Sequence, residues 1–160
     1  MGGAGGPERD GGPERDGGPD AAHRRPEGLD DVTVAALGRL SEALETVERA
    51  RGHLYSVHQL IGMADFALDE AVSLFMQAGH VGTAERIQQE LIGRNVVPGH
   101  WTFQLVEEFD DGYYAEFREV EREARTRLAG GRRHLHEAEL KERRRTHGRP
   151  GHEACPGDSG

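Results

Sequence analysis

The sequence predicts an all-α fold: a long-helix antiparallel bundle or coiled-coil-like hairpin with a short connecting helix. Three observations carry that expectation. No proline interrupts the chain between Pro26 and Pro98, so nothing there removes a helical N–H or clashes with a preceding turn. Leu37, Leu40, Leu44, Val47, Leu54, Ile61, Leu68, Val72 and Phe75 recur at three- and four-residue steps, provided Arg51, His58 and Asp65 occupy the same stripe. No segment alternates with the period of a strand, and the Pro-Gly pair in "NVVPGHWTF" makes that nearest candidate a turn.

The elements follow in order. Asp30 or Asp31 can cap the first helix by accepting from backbone N–H groups of its first turn. Gly62 has low helix propensity, which predicts a break or bend within "IGMAD", and Gly79 suits the helix end at "QAGH". Thr83 is the expected cap of a short helix with Ala84, Ile87 and Leu91 on its apolar face. A last long helix is expected from His100 or Trp101, carrying Leu105, Phe109, Tyr113, Phe117, Val120, Ala124 and Leu128 on one face. Gly130 and Gly131 should hinge it. A thinner amphipathic piece follows through Leu135, Ala138 and Leu140, with Glu139 and Arg143 at pairing distance, and ends before Pro150.

Three regions result: a Gly/Pro/charged leader over 1–28, a helical domain over 29–146 and a tail over 147–160. The leader repeats GGPERD at 5–10 and 11–16, a composition without apolar surface to offset the entropy of ordering, and is expected to be disordered. Charge is unevenly spread along the chain. Residues 31–131 carry seventeen acids and nine bases, against five acids and seven bases in 132–160, so attraction to nucleic acid or anionic lipid can come only through the C-terminal end. One cysteine, Cys155, excludes an intramolecular disulfide framework. No apolar run reaches the ~18 residues of a membrane span, and the opening "MGGAGGPERD" is not a signal peptide. The expected setting is the cytoplasm, with no membrane partner.

Four constellations are candidates for function. Arg51, His58 and Asp65 form a polar layer on the apolar seam, read either as a ligand relay or as a device that fixes helix register or dimer partner. Glu107, Glu108, Asp110, Asp111 and Tyr114 form an acidic, aromatic helix surface; Glu107 and Asp111 face solvent in projection, while Tyr114 is left for a rim or interface. Arg132, Arg133, Lys141, Arg143, Arg144, Arg145 and Arg149 form a basic C-terminal patch able to contact phosphates. His147, His152 and Cys155 are chemically suitable metal ligands whose spacing matches no standard finger. No metal or other cofactor is expected. A di-metal carboxylate bundle needs Glu three residues before a ligating His, and no histidine from His53 to His152 has one.

The runs "GRNVVPGHWTFQLVEEFDDGYYAEF" and "KERRRTHGRPGHE" resemble small uncharacterised all-helical proteins of high-GC actinobacteria, over about residues 35–153. The resemblance implies a helical domain distinct from its leader and no activity, cofactor or functional residue. The seam, the leader and the missing catalytic motif point to a non-enzymatic interaction module, an adaptor or regulator with a protein partner, self-associating as a homodimer. The alternatives are a nucleic-acid-associated regulator using the basic patch, and a metal- or ligand-binding bundle built on His58, Asp65 and the acidic aromatic helix.

Overall fold

A computed structural model describes residues 17–155. Both GGPERD repeats therefore lie outside the described residues. Helix α1 runs from Asp31 to Gln77, α2 from Val81 to Glu90, α3 from Thr102 to Phe109, α4 from Ala115 to Ala129 and α5 from Leu135 to Arg144; a π turn over Asp110–Tyr114 joins α3 to α4. All regular elements among the described residues are helical. α1 is the spine against which each of the others packs.

α1 starts where the Asp30 side chain accepts from the Thr33 N–H at 2.8 Å, and Gly79 takes the left-handed conformation (φ 82°) just past its end. The expected bend at Gly62 is absent, and α1 continues through it unbroken. The cost of one helical glycine is about 1 kcal/mol. The seam on both sides of Gly62 is anchored to the returning chain, so docking outweighs that local cost. Most of the seam is as expected: Leu37, Leu40, Leu44, Val47, Leu54, Leu68 and Val72 are half-buried, with Arg51, His58 and Asp65 among them, whereas Ile61 and Phe75, expected on the same stripe, are exposed at its edge.

Thr83 does not cap α2. His80 stands at the cap position without a side-chain hydrogen bond, and Ala84, fully buried, anchors α2 against the spine. At the start of α3 the Gln104 side-chain oxygen accepts from the Trp101 N–H at 2.9 Å.

The larger departure lies in the α3–α4 arm. Within the π turn the Ala115 N–H reaches the Asp110 carbonyl, an i→i+5 bond that turns the chain less per residue than the α-helical ~100°. The buried face is thereby shifted in phase along α4. Tyr113, Val120 and Leu128, expected on the core side, are exposed, and Glu121 is buried instead at 8%. Phe109, Phe117 and Ala124 keep their half-buried places.

Gly130, left-handed at φ 60°, ends α4, and the chain turns back through His134 (φ 55°) into α5. The buried apolar residues here are Val34, Ala129 and Leu135, flanked by Leu29 and Leu37. Glu139 does not pair with Arg143 as its spacing suggested. It receives Arg25 across both carboxylate oxygens at 2.7 and 2.8 Å, so the end of the predicted leader lies against α5.

Candidate functional site

The polar layer is the best-defined arrangement of side chains in the molecule. Arg51, His58 and Asp65 are seven residues apart, which on a helix places them in one row. Each meets a partner from the returning chain, in antiparallel order. Arg51 donates to both oxygens of Asp110 at 2.6 and 2.7 Å. His58 Nδ1 lies 2.8 Å from the Thr102 hydroxyl, and the Asp65 carboxylate accepts from the Gly93 N–H at 2.9 Å. Toward the N-terminal end of α1, Ser41 donates to Glu121, which also receives Arg125 at 3.1 and 3.2 Å.

Arg51 has the densest surroundings. Its guanidinium stands 5.0 Å from the Tyr55 ring centre and 5.4 Å from that of Tyr114, and Arg118 covers Tyr114 at 5.4 Å. The fork from Arg51 holds the Asp110 carboxyl below its ordinary range, and Asp110 in turn raises Arg51. Tyr114 donates to Glu48 on the spine at 3.2 Å. Asp110 and Tyr114 thus leave the acidic aromatic surface in which the sequence placed them: Asp110 follows buried Val106 by one α-helical turn, and the π turn carries Tyr114 to the same side. Glu107, Glu108 and Asp111 stay exposed, with Glu108 3.1 Å from His100 Nε2.

This ladder matches its donors to its acceptors. No buried side-chain nitrogen or oxygen among the described residues lacks a hydrogen-bond partner. Its geometry is that of a register lock, in which sliding either arm by one turn would leave charged groups facing apolar ones. Between α1 and α4 lies a cleft of about 720 Å³, whose walls mix Glu45, Glu48 and Glu119 with Arg118, Arg122 and Arg133. Opposed charges line it together, so no single sign of ligand is selected.

Two members of the basic patch are engaged within the chain. Arg145 is held by Glu142 at 2.5 and 2.9 Å, and Arg132 donates to the Arg24 carbonyl at 3.1 Å. Arg133, Lys141, Arg143, Arg144 and Arg149 are exposed. His147, His152 and Cys155 do not converge. His147 Nε2 is 3.3 Å from Glu142, His152 Nδ1 accepts from the Thr146 N–H at 3.2 Å, and Cys155 Sγ lies 3.7 Å from the Gly18 carbonyl. Among the described residues no group of three or more His, Cys, Asp or Glu side chains is placed to hold a metal ion.

A second feature of α1 went unread in the sequence. Val57, Leu60, Ala64, Ala67, Ala71 and Leu74 also follow alternating three- and four-residue steps, on a face of the helix offset from the ladder, where all but the half-buried Ala71 are exposed and Ala64 borders a hollow shared with Leu91 and Val96. Leu60 is 61% and Leu74 57% exposed, with Met63 beside them at 67%. The signal that could have revealed this stripe is its own heptad period, overshadowed by the bulkier residues of the inner seam. A smaller exposed apolar group, Leu91, Val96, Val97 and Trp101, lies in the connection from α2 to α3, where Leu91 and Val96 border Ile61 and Leu68 of α1. No family model matches the chain, nor does any curated protein or solved structure.

Proposed function

We propose that this chain is a non-enzymatic helical interaction module, an adaptor or regulator that works by protein–protein association and self-associates. The observation that carries the reading is the outer stripe of α1. A helix already anchored along one face by a polar ladder presents a second, regularly spaced apolar face to solvent, and an exposed apolar surface of this kind marks an association site.

The exposed area agrees. The chain exposes 12526 Å². A compact monomer of 17.6 kDa exposes about 7,900 Å². Even when residues outside 17–155 are granted the exposure of a fully extended chain, the excess over a compact fold is roughly 2,400 Å². The ladder supports the same reading from the other side, since its polar groups are matched to one another. No helix among the described residues is long and apolar enough to cross a membrane. We place the module in the cytoplasm, on the reading of Cys155 as a single cysteine without a disulfide partner.

Sedimentation equilibrium over a wide concentration range tests this function. Masses rising to multiples of 17.6 kDa support it. A mass fixed at that of one chain at the highest attainable concentration would overturn the self-association.

A further inference from the structure

Resting on that self-association reading, the structure assigns the surface and its sense: we propose that two copies of this chain pair antiparallel along the Val57–Leu74 stripe of α1. The occupant is a second copy because the stripe fits its own reverse. Inverted about a two-fold axis passing between positions 65 and 66, Leu60 faces Ala71 of the other copy, Ala64 faces Ala67, and Val57 faces Leu74. Side-chain bulk thus grows outward from the centre, alanine on alanine, then Leu60 on Ala71, then Val57 on Leu74, and the central alanines let the two backbones approach closely. A parallel pair would set Leu60 on Leu60 next to three successive alanine layers, Ala64, Ala67 and Ala71, where the axes would have to converge abruptly.

Charge and length agree with the antiparallel sense. Over 54–77 α1 carries Asp65, Asp69 and Glu70 and no lysine or arginine. Antiparallel pairing displaces the two copies of Glu70 by about 13 Å along the axis, whereas parallel pairing sets them level. It also opposes the two helix dipoles. The self-paired stretch from Val57 to Leu74 rises about 25 Å, a little over two heptads of contact.

The test uses the full chain with Cys155→Ser as background. Leu60→Cys and Ala71→Cys chains, carrying different mass tags, are oxidised separately and as a mixture. Antiparallel pairing predicts a disulfide-linked heterodimer in the mixture and little linkage in either alone, because two copies of position 60 would stand about 16 Å apart along the axis. Efficient linkage of Leu60→Cys to itself shows parallel pairing and overturns the proposal. Ala67→Glu, an exposed position on a helix anchored by its other face, should raise the dimer dissociation constant roughly a hundred-fold or more. Circular dichroism should show its helix content unchanged. A chain that sediments as a dimer, forms no 60–71 link and ignores Ala67→Glu refutes this surface while leaving self-association standing. A chain that is monomeric throughout refutes both.

Discussion

Replacing Gly38 by alanine should weaken the fold, although the same change elsewhere on the helix strengthens it. In an unobstructed helix interior, Gly→Ala gains about 1 kcal/mol by restricting the unfolded chain and improving propensity. Gly52 and Gly62 of α1 are such sites, with nothing within 4 Å of where a Cβ would stand. At Gly38 the new Cβ would lie 3.1 Å from His136 Cβ and 3.3 Å from its Cγ, inside the ~3.5–4.0 Å optimum for carbon contacts. His136 Cβ is fixed to the α5 backbone and cannot rotate aside. The helix must therefore move outward, at a cost of about 1–3 kcal/mol for an overpacked contact. The net for G38A runs from near zero to about 2 kcal/mol destabilising, and G38A and G62A should differ by about 1–3 kcal/mol. Urea unfolding followed by circular dichroism reads that difference directly. Amide exchange should locate the G38A effect in α5, with its protection lowered and that of the 51–72 stretch unchanged. If G38A stabilises as much as G62A, α5 does not pack against α1 at this distance and the placement of the C-terminal helix is wrong.

Three other outcomes follow from the packing. Arg125→Ala strands Glu121, whose side chain is only 10% exposed, with Ser41 as its remaining partner. It should cost about 2–3 kcal/mol, while Arg125→Leu with Glu121→Leu recovers most of that loss. Strictly additive single and double variants in urea titrations would argue against the pair. Leu135→Ala, opening a void beside Val34 and Ala129, should cost about 2–4 kcal/mol and release α5 first, visible as early loss of its amide protection. Acid should weaken the hairpin through Asp110. Its carboxyl titrates below its ordinary value of 3.8 when folded, so the unfolded chain takes up the proton first. Its contribution is complete above that range and lost as pH falls through the folded value. Wild type should therefore exceed Asp110→Asn in urea midpoint at neutral pH and converge with it in strong acid, and a gap that is constant with pH would refute the Arg51–Asp110 linkage.

Much of this molecule is legible from periodicity because helices are local. The cap at Asp30, the left-handed glycine after α1, the seam, and the row made by Arg51, His58 and Asp65 all follow from residues within one or two turns of each other. The outer stripe was equally available to the same reasoning, since it needs only a second face of the same helix. What periodicity could not supply was the partner of each polar seam residue. Asp110, Thr102 and Gly93 are reached over 59, 44 and 28 positions of chain, and no local pattern marks them.

The phase of α4 shows why. Projection at ~100° per residue carries Tyr113, Val120 and Leu128 onto the buried face, and it fails once a single i→i+5 turn intervenes. That turn brings Tyr114 to Arg51 beside Asp110, a gain in contacts that only the folded pair of helices can realise. The same holds at the C-terminal end, where Glu139 takes Arg25 rather than its own helical neighbour. The sequence by itself therefore determined which segments are helical and where their polar and apolar rows run, because those depend on neighbours along the chain. Tertiary structure alone decided which rows meet, because that depends on the balance between a local helix defect and the ion pairs and packing it makes possible across the hairpin.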